Sequence, residues 1–266
     1  MLGRRVLSSA ILIPVVGAAV YAGGLCFSAL VALAGLLAGY EYLTMMGHSD
    51  LAPSYFFGLL LIALFVADAQ WPGLDLLRWG LALVPLAALT VEVFHGNAQG
   101  SLGKWALTIA GAVYIGFSIS HFVRLRAMEE GMWWVVVALL GTWICDSGAY
   151  FVGRAVGKTA FFPQISPKKT WEGAAGGFVS GLVATVLLGR FLLDLAVGWG
   201  IVLGVLLVLA ATFGDLAESV IKRQVGVKDS SNLIPGHGGM LDRVDSLLFV
   251  APIVYYFASA GKGLLF

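Results

Sequence analysis

The chain has 266 residues, 59% of them hydrophobic and only 12% charged, where soluble domains carry about 25% charged residues. That balance, with a mean hydropathy of +0.92, excludes a soluble globular protein. A formal net charge of +1 excludes bulk electrostatic capture of nucleic acid. The two cysteines, Cys26 and Cys145, stand in apolar runs, which excludes a disulfide framework and reads as two small buried hydrophobes.

Arg4-Arg5 precede an apolar run that reaches Ala22, the outline of a signal peptide. An Ala-x-Ala-like end is hard to place and further apolar runs begin at once, so the expectation is an uncleaved first helix. A bilayer crossing needs about 20 apolar residues. Runs of that kind occur at 6–22, 25–46, 54–69, 74–93, 104–123, 132–152, 172–192, 197–214 and 243–260. The expected fold is therefore an all-α polytopic membrane protein of about nine transmembrane helices. The third run is short, and the fourth carries Asp75 and Arg78 near one end. Trp71, Trp105, Trp133, Trp134, Trp171 and Trp199 fall near span ends, as an interfacial aromatic belt requires. The polar stretches 153–171 and 215–242 are too short to bury a core of their own. Residues 1–130 and 131–266 thus read as N-terminal and C-terminal transmembrane regions of one membrane-embedded unit. Gly177-x-x-x-Gly181 is a spacing that lets helices approach closely.

Lys and Arg in short loops set orientation. The N-terminus, 47–53, 94–103, 153–171 and 215–242 share one side, with Arg4, Arg5, Arg154, Lys158, Lys168, Lys169, Lys222, Arg223 and Lys228. The other side offers mainly Arg124 and Arg126, offset by Glu129 and Glu130, with Lys262 at the C-terminus. The N-terminus and both polar stretches are expected to be cytoplasmic and the C-terminus outside, in a multi-pass membrane protein.

Ionisable residues between membrane helices mark functional sites. Asp215, Glu218, Ser219 and Lys222 fall at i, i+3, i+4 and i+7, one helical face. Asp242 and Asp245 repeat the i, i+3 spacing at the start of the last span, where the helix dipole favours one carboxylate but does not explain all four. Mg2+ takes oxygen ligands, usually one or two carboxylates plus substrate phosphates, and two acidic helix ends suit it. Lys222, Arg223, Lys228 and Arg243 are spaced too irregularly for a plain charged face, and Lys and Arg clamp phosphoryl oxygens. In His237-Gly238-Gly239 the glycines let backbone N–H groups approach a phosphate, and His237 reads either as a phosphate donor or as a structural turn residue. Lys168 and Lys169 precede the seventh span, as positive-inside anchors or as an anion site. Asp146 lies in the sixth span, where a lone carboxylate is costly and calls for a basic partner or a metal. Gly153-Arg-Ala-Val-Gly157-Lys158-Thr159 imitates a Walker A loop, but it is one residue short and follows a membrane helix instead of a strand.

These residues together resemble the phosphatidate cytidylyltransferase (CDP-diacylglycerol synthase) family. The family signature reads here as Ser219, Lys222-Arg223, Lys228-Asp229, His237-Gly238-Gly239 and Asp242-Arg243-Val244-Asp245. The runs Gly214-Asp215-Leu216-x-Glu218-Ser219, Ser166 to Gly173 and Asp146-Ser147 also resemble the family, whereas the N-terminal half matches only as generic apolar spans. The resemblance implies transfer of a cytidylyl group from CTP to phosphatidic acid, giving CDP-diacylglycerol and pyrophosphate, with Mg2+ and, as an option, a monovalent cation such as K+. It implies no nucleic-acid partner, and leaves a homodimer open. It places Asp215 and Asp245 on the metal, with Asp146, Glu218 and Asp242 in or near its shell. Lys222, Arg223, Lys228 and Arg243 would hold the phosphates, with Ser219, Asp229, His237, Gly238 and Gly239 as further substrate contacts. Lys168 and Lys169 would close over the nucleotide or lipid headgroup. A transporter fits less well: the charges form one band instead of a midplane site, and no inverted repeat is visible. The motif does not read the lipid tail, so isoprenoid phosphates are the nearer alternative. A CDP-alcohol phosphotransferase lacks support, because its D-G-x-x-A-R motif is absent.

Overall fold

Lipid offers no hydrogen bonds, so an apolar chain closes its backbone polar groups within helices. The computed structural model describes residues 2–48, 51–95, 99–233 and 238–260. The helices, in chain order, are α1 (Leu2–Ala22), α2 (Gly24–Met46), α3 (Tyr55–Gln70), α4 (Leu76–His95), α5 (Ser101–Ala112), α6 (Ser118–Arg126), α7 (Gly131–Val156), α8 (Trp171–Leu193), α9 (Val197–Gln224) and α10 (Leu241–Ala260). A π-helical stretch, Val113–Phe117, joins α5 to α6 into one continuous helix, Ser101–Arg126. Among the described residues, seven helices are long and apolar enough to cross a membrane: α2, α4, the α5–α6 helix, α7, α8, α9 and α10. This is a multi-pass membrane architecture. Ala10–Ala22 and α3 are shorter apolar helices.

The all-helical expectation holds, with one small addition. The 153–171 stretch holds a small antiparallel hairpin, β1 (Ala160–Phe162) and β2 (Ser166–Thr170), paired Ala160 with Thr170 and Phe162 with Ser166. Its base is tied by Trp171 N–H donating to Thr159 O at 2.9 Å. The Phe161 ring packs edge-on against Trp171, with centroids 4.4 Å apart.

The chain forms two compact units. One comprises Met1–Arg124 with Lys222–Val244, the other Leu125–Ile221 with Asp245–Phe266. In the first, α2, α3 and the α5–α6 helix pack through glycines. A Cβ on Gly116 would stand 2.9 Å from Ile62 Cα and 2.8 Å from the Phe65 ring. One ion pair ties this unit internally. Asp68 of α3 accepts from Arg124 Nη2 at 2.7 Å and from Leu77 N–H at 3.0 Å, which caps the first turn of α4.

In the second unit α8 lies against α7 along a glycine seam. A Cβ on Gly177 would meet Ala149 Cβ at 2.9 Å, and one on Gly181 would meet Cys145 Cβ at 2.8 Å, so the small-residue spacing serves helix packing as expected. The Thr170 hydroxyl accepts from Gly173 N–H at 3.1 Å and caps the start of α8. Trp134 of α7 and Trp199 of α9 both contact the Phe257 ring of α10, closing the far end of this bundle. Both cysteines are free; Cys145 is buried as expected, but Cys26 lies on the exposed face of α2. An apolar run around a residue does not distinguish core from lipid, which explains that miss.

Candidate active site

Helix α9 has 28 residues, about 42 Å at 1.5 Å per residue, and so outruns a hydrocarbon core of about 30 Å. Its polar last turns are the consequence: Asp215, Glu218 and Ser219 stand on the same stretch of helix, with Glu218 and Ser219 buried. In α10, Asp245 sits in the second turn. Within the second unit, Asp215, Glu218 and Asp245 each bring one carboxylate oxygen to within 4.8 Å of the others.

The close approach has a structural cause. Gly214 meets α10 backbone to backbone: a Cβ there would stand 2.7 Å from Asp245 O and 2.9 Å from Ser246 Cα. One ionised pair at that spacing repels by at least about 3.5 kcal/mol at an effective dielectric of about 20. Three carboxylates so arranged, with Glu218 wholly inaccessible to solvent, call for cations. One is on hand, since Lys169 Nζ lies 2.7 Å from Asp215 Oδ2. All three donors are hard oxygens, a set that fits Mg2+ with room for waters and phosphate oxygens, and that does not fit a soft thiophilic ion.

A second carboxylate cluster belongs to the first unit. Lys222 Nζ donates to Asp242 Oδ1 at 2.7 Å, both side chains being largely buried. Asp242 Oδ2 accepts from Ser230 N–H at 3.0 Å, Ser230 Oγ at 2.9 Å and Gly239 N–H at 2.8 Å. Gly238 adopts φ +80°, a left-handed conformation suited to glycine. Gly239 N–H is therefore directed at Asp242, and the missing Cβ leaves room for the Ser230 hydroxyl and the Glu41 carboxylate.

Glu41 is the residue sequence reasoning missed. It stands on α2, 3% exposed, and accepts from Ser230 Oγ at 2.9 Å, Ser231 Oγ at 2.6 Å, Met240 N–H at 2.9 Å and Leu241 N–H at 2.8 Å. The available signal was an acidic residue inside an apolar span.

The other predicted residues are placed as follows. Asp146 is exposed on α7 and is not among the three grouped carboxylates. Arg223 is exposed and folds back to donate to Val227 O at 2.7 Å. Lys168, Lys228, Asp229 and Arg243 are exposed. His237 lies outside the described residues. The Walker-like stretch is occupied: Glu172 accepts from Lys158 N–H at 3.1 Å and from Thr159 N–H at 3.2 Å. Those amides close the hairpin base and are not offered to a nucleotide.

A model of the cytidylyltransferase family matches residues 3–260. The chain belongs to that family. It is 37% identical over 245 residues to the phosphatidate cytidylyltransferase of Bacillus subtilis, covering 89% of this chain and 90% of the relative. It is equally 37% identical over 245 residues to that of Brucella suis, covering 90% and 86%. The phosphatidate cytidylyltransferase of Haemophilus influenzae shares 38% over 190 residues, 67% of this chain and 65% of the relative. The family match starts at residue 3, so the N-terminal helices that read as generic spans belong to the family as well.

Proposed function

We propose that this protein transfers the cytidylyl group of CTP to phosphatidic acid, giving CDP-diacylglycerol and pyrophosphate for phospholipid synthesis. The observation that carries the reading is the approach of Asp215, Glu218 and Asp245 to within 4.8 Å in a chain of the cytidylyltransferase family. A phosphate oxygen of phosphatidic acid attacks the α-phosphorus of CTP. A P–O–P bond forms, the α–β bond breaks, and its electron pair leaves on pyrophosphate. The nucleophile is already anionic, so the work of the protein is charge neutralisation and in-line positioning.

Asp215, Glu218 and Asp245 would hold Mg2+, and the ion, when bound, would offset the charge of the triphosphate. The basic side chains of Lys222, Arg223, Lys228 and Arg243 hold the triphosphate and the lipid phosphate. Lys222 is preset by its pair with Asp242. Lys169 shares Asp215 before substrate arrives and, with exposed Lys168, lies on a hairpin that can close over the headgroup. Ser219, Asp229, His237 and Gly238 serve as secondary contacts.

The site belongs at the cytoplasmic helix ends, where CTP is available and acyl chains remain in the bilayer. In this reading α1 and α3 also cross, which makes nine spans, with the N-terminus inside. The 16 residues of α3 cover about 24 Å, enough where the bilayer thins locally. The protein lies in the bacterial inner membrane, uses Mg2+, with K+ as an optional second ion, and can pair as a homodimer. The test is CTP-dependent formation of CDP-diacylglycerol by purified protein with Mg2+ and diacyl phosphatidate, beside an isoprenoid phosphate acceptor. Faster turnover of the isoprenoid acceptor, or Asp245→Asn at wild-type rate, overturns it.

A further inference from the structure

We infer that Glu41 is a positioning residue for this transfer, which brings helix α2 into the catalytic machinery. The inference rests on the proposed function for the reaction it affects, and on geometry for the rest. Four donors converge on one buried carboxylate, and they come from two stretches of chain. Ser230 and Ser231 give hydroxyls, and Met240 and Leu241 give main-chain N–H groups. Leu241 opens α10, so two of the donors are N–H groups that the first turn of that helix leaves without an intrahelical acceptor. Glu41 thus fixes both the start of α10 and its distance from the 230–231 stretch.

The Ser230 hydroxyl links Glu41 to the signature residues. Its oxygen is 2.9 Å from Glu41 Oε2 and 2.9 Å from Asp242 Oδ2. Asp242 in turn holds Lys222 at 2.7 Å. The connection Glu41–Ser230–Asp242–Lys222 is unbroken and largely buried. Gly239 is fitted to it, since any Cβ there would collide with Ser230 Oγ and with the Glu41 carboxylate. A buried charge is a poor choice for stability alone, because apolar replacements of similar volume often serve as well. What a carboxylate with four donors supplies is geometry: it allows one arrangement of these strands of backbone and disfavours the rest.

Glu41→Gln keeps the volume but sets an NH2 against donors. We expect kcat for CDP-diacylglycerol formation to fall about 10- to 100-fold at saturating substrates in protein that remains folded. Amide exchange in a peptide covering 238–245 should quicken at least about tenfold while α7 and α8 exchange as in wild type. Should Glu41→Gln not fold, Ser231→Ala and Ser231→Thr decide. The alanine variant loses about 3- to 10-fold in kcat and the threonine variant, which restores the hydroxyl, returns to within twofold of wild type. A merely structural Glu41 would lower Tm but leave kcat of the folded fraction unchanged, and Ser231→Thr would rescue nothing. Either result overturns the inference. CTP affinity of the Mg2+-loaded wild-type and variant proteins separates the two claims. Wild-type protein that binds CTP yet makes no CDP-diacylglycerol overturns the proposed function. Unchanged CTP affinity together with unchanged amide exchange in Glu41→Gln then overturns the positioning role.

Discussion

Gly214→Ala tests the geometry of the carboxylate trio without touching a carboxylate. The added Cβ would stand 2.7 Å from Asp245 O, 2.9 Å from Ser246 Cα and 3.2 Å from Ser246 O. Ordinary contact begins near 3.4 Å, so α9 and α10 must part by about 0.7 Å (3.4 − 2.7) at that point. All three obstructing atoms are main chain, so no rotamer change relieves the clash. Gly214 precedes Asp215 and Ser246 follows Asp245, which places the displacement at two of the three ligand candidates. Productive sites tolerate shifts of about 0.5 Å. We expect kcat to fall about 10- to 100-fold and stability to drop by about 1–3 kcal/mol from overpacking. The assay is initial-rate formation of CDP-diacylglycerol at saturating CTP and Mg2+, beside thermal unfolding in detergent. Gly198→Ala, also on α9, meets nothing within 4 Å and is the control for the substitution itself. A Gly214→Ala enzyme with lowered Tm but kcat within twofold of wild type would show that this approach does not set the trio.

Glu218→Gln should separate stability from activity. In chelator, removing one of three mutually repelling carboxylates raises Tm relative to wild type. Added Mg2+ stabilises wild type by mass action but not the variant, whose kcat falls about 100-fold or more. A wild-type Tm indifferent to Mg2+ would refute the metal assignment. Lys169→Met removes a part-exposed ion pair worth at most about 1 kcal/mol, so Tm hardly moves. The KM for phosphatidate or CTP should instead rise severalfold, and unchanged kinetics would leave Lys169 a simple membrane anchor. Asp68→Ala strands Arg124 and uncaps α4, and should cost about 2–4 kcal/mol by thermal unfolding, with kcat of the folded fraction intact. Loss of kcat in folded protein would refute a purely structural role for that pair.

How much of this was legible in sequence depended on the range of the interaction. The i, i+3, i+4, i+7 face of Asp215, Glu218, Ser219 and Lys222 is a property of one helix, and α9 does run unbroken through all four. Gly177-x-x-x-Gly181 was legible for the same reason. The hairpin was not, because β1 and β2 span three and five residues, too few for alternation to show. Nor could spacing show that Glu172 occupies the amides of the Walker-like stretch, although it lies only 13 residues beyond Thr159. Glu41 was harder still, since its donors lie 189 to 200 residues away. An isolated acid in an apolar span announces that a partner exists and carries no address for it.

The glycines sharpen that distinction. Sequence reasoning offered phosphate approach as one use for Gly238-Gly239, because a bare backbone suits an anion. Gly239 instead gives its N–H to Asp242, and its open side faces Glu41 and Ser230. Gly214 likewise exists for the backbone of α10. Both sit beside acidic residues because a carboxylate held at fixed distance in an apolar protein needs its supporting backbone within van der Waals contact, and only glycine leaves that room. Protein contacts alone thus require glycine at 214 and 239. It follows that alanine at Gly239 should mimic Glu41→Gln in rate and in local amide exchange, whereas a phosphate-contact role would spare amide exchange in substrate-free protein.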